Sequence, residues 1–428
     1  PGAADRPVVL LGRDSRTSGP LLVDAAAAGL QAVGADVRDT GIAPTPTHLL
    51  AVRDDPATAG GLIVTASHNP VEWNGLKLAG PDGRFVAPHE GREVHARFEA
   101  GVTLAAWDEV GTRTAGPDVA ARHVERILSL DLVDAAAVRS WAPLVVLDAV
   151  HGAGGPLIAG LLRELGCRVE GMGLEPDGRF PREPEPIPEN LGALGDRVRS
   201  VGADLGLAVD PDSDRLAIVD ESGRPVGEDW TLAFAVEYVL RHRRGPVVTN
   251  LSSSQCIEDA ARSAGAPFHR TAVGEARVAA GMAEVGAVIG GEGNGGVILP
   301  DLNLTRDAPL AAALVLSLFA TERAGPGRLL SQRRRYHLVK RRMPRPAAGT
   351  EAALAALAET VPEGGAIDRT DGLRVAWPAR REWVHVRASG TEPILRVISE
   401  APEAVRAVRL ADWAEEGLAA ADVAGRGT

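Results

Sequence analysis

Cysteine is nearly absent: Cys167 and Cys256 are the only two in 428 residues, and they lie far apart. That excludes a disulfide framework and a paired-cysteine zinc site; set beside Leu, Val and Ile in helix-like stretches, both thiols read as reduced and buried. Aromatic residues make up only 4%, so no stacking platform for single-stranded nucleic acid is visible. A basic excess is missing as well. The formal net charge of −11 removes the footprint that phosphate-backbone binding needs. One basic stretch exists, "QRRRYHLVKRRMPRP" at 332–346, and it reads as a solvated or linker-lining run. The longest apolar run, "APLAAALVLSLFA" at 308–320, is too short to cross a bilayer. "PGAADRPVV" opens without a signal peptide and without Met, which leaves a processed or incomplete chain open. The expectation is a cytoplasmic protein, monomer or homodimer, with no nucleic-acid or membrane partner.

Glycine (49) and proline (30) are plentiful, pointing to many loops around an aliphatic core. The chain repeats itself three times. "PVVLLGRDSR", "PLVVLDAVHGAGG" and "GPVVTNLSSS" each read as a strand running into a polar loop. An amphipathic helix, a glycine stop and a second strand follow each, the pattern of a parallel α/β unit. Later in each copy a buried-type strand ends in an unusual loop: "GGLIVTASHNP", "ADLGLAVDPDSDR" and "GAVIGGEGNGG". Loops at the carboxyl ends of parallel strands are where α/β proteins build ligand sites, so three such layers can converge on one cleft. From about residue 346 the pattern changes to a helix and alternating strands around "EWVHVRASGTEPILRVISE", a smaller α+β domain.

The loops differ in chemistry. "TASHNP" puts Ser67 beside His68, but neighbours on an extended backbone point to opposite faces, so a serine–histidine hydrolase pair is geometrically poor. No G-x-S-x-G elbow surrounds Ser67 either. "DPDSDR" sets Asp210, Asp212 and Asp214 at alternate positions, an arrangement suited to a hard divalent cation. An EF-hand fails because Arg215 stands where the turn needs glycine. "GGEGNGG" satisfies G-x-G-x-x-G, yet strand-like "VILPDL" follows instead of the helix a dinucleotide site requires. Glu292 and Asn294 then read as hydrogen-bonding groups for a hydroxyl-rich ligand, or as a plain turn. "RASGTEP" combines Arg387, Ser389, Gly390 and Thr391 into an anion nest suited to phosphate, against a long hairpin without ligand. Lys77 in "NGLK" reaches Ser67 if the chain folds back; Arg13 and Arg16 in "GRDSRTSG" end the first strand. Each of these three has a plain surface residue as its alternative.

Together and in this order, "GRDSRTSG", "TASHNPVEWNGLK", "DPDSDR", "GGEGNGG" and "RASGTEP" resemble the alpha-D-phosphohexomutase superfamily across essentially the whole chain. The resemblance implies an α/β fold of three similar mixed domains around a central cleft plus a smaller C-terminal α+β domain. The corresponding boundaries are 1–130 (phosphoserine), 131–240 (metal), 241–345 (sugar) and 346–428 (phosphate). The first copy lacks the strand and arginine loop that normally precede "VVLLGRD". The resemblance further implies a phosphoserine at Ser67 that exchanges its phosphoryl group with a hexose phosphate through a hexose 1,6-bisphosphate, which also serves as activator. Mg²⁺ is then held by Asp210, Asp212, Asp214 and the serine phosphate, with Lys77 and Arg16 as catalytic partners. Arg215, Glu292, Asn294, Arg387, Ser389, Gly390 and Thr391 contact substrate. Charge arithmetic agrees: a phosphoserine of about −1.5 to −2 beside three aspartates needs cations such as Arg215 and Lys77. The loop 290–296 and "TAVGEARV" (271–278) look most like the phosphoglucosamine mutase branch. The alternatives are phosphomannomutase or phosphoglucomutase activity, a sugar-phosphate binder without catalysis, or a phosphatase. The stretch "RPAAGT" (345–350) is expected to act as a hinge for the last domain.

Overall fold

The computed structural model describes residues 6–425 except 348 and 391. Its first sheet holds β1 (Val8–Arg13), β2 (Asp36–Ile42), β3 (Thr58–Val64), β4 (Leu76–Ala79) and β5 (Arg113–Ala115). The second holds β6 (Leu144–Asp148), β7 (Arg168–Met172), β8 (Leu205–Val209) and β9 (Leu216–Val219). The third holds β10 (Val247–Asn250), β11 (Phe268–Thr271), β12 (Ile289–Glu292) and β13 (Gly296–Ile298). One plan serves all three. The opening strand lies at the centre with its second and third partners parallel on either side, and the fourth returns antiparallel to the third. The helix after each opening strand is followed by a glycine at positive φ (Gly34, Gly166, Gly265), where a side chain would be strained. The expected repeat is therefore the architecture, and its three distinctive loops are the turns β3–β4, β8–β9 and β12–β13.

The second and third units share one core. Helix Ala308–Glu322 is buried at every position from Ala308 to Ala320, so its uniform apolarity marks a helix surrounded by protein. Phe319 meets Phe234 edge to face, with ring centroids 5.3 Å apart. No helix among the described residues is long and apolar enough to cross a membrane. Cys256 lies in helix Gln255–Ser263, whereas Cys167 lies in the turn ahead of β7 rather than in a helix; both are buried and free.

The fourth unit is an antiparallel sheet in the order β14 (His337–Pro344), β18 (Ile394–Ala401), β17 (Glu382–Ala388), β16 (Leu373–Trp377), β15 (Ala366–Asp368). Its core of Leu354, Val375, Val386, Val397 and Leu410 is separate from the others. Two sequence expectations change here. The basic stretch is largely the edge strand β14, where charge discourages further strand pairing. The fourth sheet thus begins ahead of residue 346, and "RPAAGT" lies inside that unit, after its first strand, where it cannot be the hinge. The unit meets the third through polar contacts: Ser252 Oγ to His385 Nδ1 at 2.9 Å, Arg374 Nε to Leu251 O at 3.1 Å and Val273 N to Asp371 Oδ2 at 2.9 Å.

Candidate active site

Ser67 sits just past β3 with φ +50°, buried, its N–H held by Thr65 Oγ1 at 2.9 Å. A left-handed residue here turns the backbone away from the strand direction, so the alternation argument against a serine–histidine contact fails. His68 Nδ1 comes within 3.4 Å of Ser67 Oγ. Burial, then the Arg215 charge, pulls His68 down to about 4, so it is neutral at neutral pH. Its Nε2 stands 3.8 Å from Glu185.

Arg16 is neither a surface residue nor free to meet a substrate. Its Nη1 donates to Pro70 O (2.6 Å) and Trp73 O (2.8 Å), its Nη2 to Ser67 O (2.6 Å) and Asn69 O (2.7 Å), and its Nε to Asp14 Oδ2 (3.0 Å). All its donors are spent on shaping the serine loop. Arg16 is thereby corrected from catalytic residue to positioning residue. Asp14 also accepts from Thr65 Oγ1 at 2.7 Å, tying loop and strand ends together.

The metal loop faces the serine. Ser67 Oγ donates to Asp210 Oδ2 at 3.1 Å, while Asp210 Oδ1 accepts the N–H groups of Asp214 and Arg215, both at 3.1 Å. Asp212 Oδ2 accepts from Thr45 Oγ1 (2.7 Å) and Lys77 Nζ (2.8 Å). Lys77 arrives because β4 folds back on β3, so it reaches the site through Asp212. Asp214 Oδ2 accepts from Arg306 Nη2 at 2.5 Å. Burial, then the charges of Asp214 and Asp212, pushes Asp210 well up. Burial also opposes ionisation of Asp212, but the Lys77 charge and hydrogen bonds from Lys77 and Thr45 outweigh it and hold Asp212 below the usual range.

These carboxylates fit a cation. One oxygen from each of Asp210, Asp212 and Asp214 lies within 4.8 Å of the others. Asp212 Oδ1 and Asp214 Oδ1 are buried without a hydrogen-bond partner, a costly arrangement for carboxylates unless something positive binds them. The acids Asp210, Asp212, Asp214, Glu275 and Glu292 outnumber the bases Lys77, Arg215 and Arg306 around them.

The third loop joins this cluster through residues that sequence reasoning missed. Arg306 Nη1 donates to Glu292 Oε2 at 2.8 Å, and its Nε lies 3.3 Å from Glu275 Oε2. It therefore bridges the sugar loop and the metal loop. Arg215 Nη1 reaches Glu185 Oε1 at 2.9 Å. Glu292 Oε1 also accepts from Asn250 Nδ2 (2.8 Å) and Gly274 N (3.0 Å), and Asn294 Oδ1 accepts from Gly296 N at 3.3 Å. Thr45, Glu185 and Arg306 come from three segments without a motif, and Glu275 from "TAVGEARV", where nothing local assigns this residue to the site. Arg306 left one trace: it stands next to Asp307, which caps the buried helix Ala308–Glu322 by accepting from Leu310 N. A charge there is bound for the interior.

The fourth loop is looser. Arg387 Nε donates to Asp371 Oδ2 at 3.0 Å, Ser389 is buried and Gly390 exposed. Arg345 Nη2 donates to Ser389 O at 2.8 Å. Thr391 lies outside the described residues.

Family models for phosphoglucomutase/phosphomannomutase match the chain in order: alpha/beta/alpha domain I over residues 2–104, domain II over 121–223, domain III over 227–336 and the C-terminal domain over 338–416. A "phosphoglucomutase/phosphomannomutase" of Thermococcus kodakarensis is 40% identical over 93% of this chain and 86% of its own. A "probable phosphoglucosamine mutase" of Methanopyrus kandleri is 38% identical over 94% and 88%. The crystal structure of a phosphoglucomutase/phosphomannomutase family protein from Burkholderia thailandensis superposes with a TM-score of 0.84 at 28% identity. That match covers 98% of this chain and 90% of that one.

Proposed function

Since the chain belongs to the phosphoglucomutase/phosphomannomutase family of the alpha-D-phosphohexomutase superfamily and is a phosphohexomutase, we propose that it works through phosphorylated Ser67 and prefers glucosamine phosphate. The observation that carries the serine's role is its hydroxyl, 3.1 Å from Asp210 in a buried carboxylate triad with two orphaned oxygens. The phosphoryl group leaves Ser67 Oγ for the free sugar hydroxyl, giving a hexose 1,6-bisphosphate. The turned bisphosphate then returns its other phosphoryl group to Ser67. Asp210, Asp212 and Asp214 would hold Mg²⁺, which offsets charge on the transferring group. Lys77 keeps Asp212 ionised and adds positive charge, Arg306 holds Glu292 toward the sugar, and Arg387 with Ser389 takes the distant phosphate.

The preference for an amino sugar is supported by the relatives named probable phosphoglucosamine mutase and by Glu275 and Glu292, carboxylates at the sugar loop suited to an ammonium. Glucose or mannose phosphate is the second reading, favoured by the name of the Thermococcus relative. Isomerisation assays with glucosamine, glucose and mannose phosphates, primed with the matching bisphosphate, decide between them. Highest kcat/KM on a neutral hexose phosphate would overturn the amino-sugar preference. Ser67→Ala is expected to lower turnover at least about 10³-fold with an unchanged melting curve. Ordinary turnover from that folded variant would refute the phosphoserine.

A further inference from the structure

Like charges directly opposite one another in a sheet are destabilising, yet the fourth sheet sets three in a line. Arg342 of β14 pairs with Arg396 of β18, and Arg396 pairs with Arg387 of β17. Directly paired residues of an antiparallel sheet share a face, so three guanidiniums from three neighbouring strands project to one side. The other side is apolar: Val339, Met343, Leu395, Val397, Val384 and Val386 alternate with this row and pack in the unit's core. Two carboxylates answer the three cations. Glu392 lies 3.2 Å from Arg396 Nη2 and 3.7 Å from Arg342 Nη1, while Asp371 takes Arg387. Among the described residues no carboxylate of the other three units forms an ion pair with any of them, and Arg396 Nε is buried without a hydrogen-bond partner.

The face they share is the one turned to the third unit. Two residues along each strand, Lys340 Nζ reaches Glu228 Oε1 at 3.1 Å and His385 Nδ1 meets Ser252 Oγ at 2.9 Å. The row stands one pair beyond those contacts. At its β17 end, Asp371 Oδ2 accepts from Arg387 Nε at 3.0 Å and from Val273 N at 2.9 Å. The next N–H, of Gly274, donates to Glu292 Oε1 at 3.0 Å, so the row starts beside the sugar loop. Its β14 end lies toward Glu228, at the head of helix Asp229–His242, the first helix after β9. Neighbouring strands run about 4.8 Å apart, which separates the strands of Arg387 and Arg342 by roughly 10 Å. One phosphate group does not cover that distance. In a chain of net charge −11, such a row marks a site for an anion with two charged ends. The reaction supplies one, because a bisphosphate detached from Ser67 carries a second phosphoryl group that the phosphate loop does not hold. We propose that Arg342 and Arg396 bind that second phosphoryl group while Arg387 and Ser389 keep the first, so that the detached hexose 1,6-bisphosphate stays on the enzyme. The proposal rests on the phosphoserine reading and adds a site to it.

Titration calorimetry on the Ser67→Ala chain, which can bind but not transfer, tests the site. The probes are the 1,6-bisphosphate and the 6-phosphate of the hexose preferred in the isomerisation assay. The Arg342 side chain is 69% exposed, so its replacement leaves the fold alone. Arg342→Ala is expected to weaken bisphosphate binding about tenfold, the loss of one charge-assisted hydrogen bond, and to leave monophosphate binding unchanged. With Ser67 intact, Arg342→Ala should raise the bisphosphate needed for half-maximal activation while KM for the hexose phosphate holds. A bisphosphate bound equally well with and without Arg342 overturns the proposal and leaves the phosphoserine standing. Equal weakening of both ligands overturns it too, since the row would then only attract anions in general. A Ser67→Ala chain that binds the 6-phosphate but no bisphosphate refutes the phosphoserine reading and the proposal with it.

Discussion

The metal loop at 210–215 and the phosphate loop at 387–393 both end strands of the same molecule, yet they are built oppositely. Every residue of the first is buried, and its carboxylates are fixed by Thr45, Lys77, Arg215 and Arg306 from three different units. The second belongs to a unit with its own core, ends in exposed Gly390 and leans on the rest of the protein through polar contacts. Charge that develops during phosphoryl transfer is best met by groups that need not reorganise, which the first loop supplies. On the proposed mechanism a bisphosphate turns within the cleft and needs one holder that lets go, a role that suits the more exposed second loop. Rigidity and release would then fall to different domains.

Breaking the rigid side should have the largest effect. Arg306→Ala strips Asp214, Glu275 and Glu292 of a shared buried partner and should cost about 3–5 kcal/mol of stability, read from denaturant midpoints. A loss below about 1 kcal/mol, the scale of an exposed pair, would mean that these carboxylates are not truly desolvated. Asp212→Asn keeps the shape but removes the charge facing Lys77. It should lower kcat roughly 10²-fold with little change in KM, and activity that survives excess chelator would disconnect the triad from metal. On the side of the exposed loop the pattern should invert. Arg387→Ala should raise KM by roughly tenfold, the loss of one charge-assisted hydrogen bond, and deepen dependence on added bisphosphate while kcat per primed enzyme holds. Equal damage to kcat would erase the contrast between the loops.

The smallest effect is one of pH. Burial lowers His385, at the seam of the fourth unit, from the ordinary 6.5 to about 4, with Asp371 opposing and Arg374 and Arg387 reinforcing. A depressed histidine favours the packed state fully above its ordinary value and loses that contribution as pH falls toward 4. Protection factors of the β17 amides, taken relative to the intrinsic exchange rate at each pH, should therefore fall between neutral pH and about 5, and His385→Gln should flatten the response. Protection factors that stay constant over that range in the unaltered protein would show that this seam does not depend on a neutral imidazole.

Much of this was legible in the sequence because the repeat is written in local terms. Buried strands such as "GLIV" and "LGLAV" and the glycine stops of three helices follow from periodicity alone, and the alternating aspartates announce their chemistry by spacing. Lys77 and Arg215 followed from counting charge. Arg306, Glu275 and Thr45 did not, because each enters the site from a segment whose own pattern is occupied with helix caps or turns. Only the third dimension brings them to Asp214 and Asp212. The hinge is misplaced for a related reason: β14 pairs with β18 at separations that run from 64 residues (His337–Ala401) down to 50 (Pro344–Ile394), and nothing local marks such a partner. The serine–histidine geometry was misjudged because one left-handed residue, φ +50° at Ser67, undoes the strand's alternation.

Arg16 bears on how such a protein can be recombined. The serine loop looks like a portable cassette, eleven letters from Thr65 to Gly75 that a relative could lend or borrow. Four of its carbonyl oxygens, however, are met by one guanidinium that the chain contributes some fifty residues earlier, itself aligned by Asp14. A chimera that moves the cassette alone inherits a loop without its fastener, and lysine, lacking the planar fork, is no substitute. The exchangeable part is the pair of stretches 14–16 and 65–75 taken together, and a library that shuffles them separately is expected to lose the serine's position long before it loses the fold.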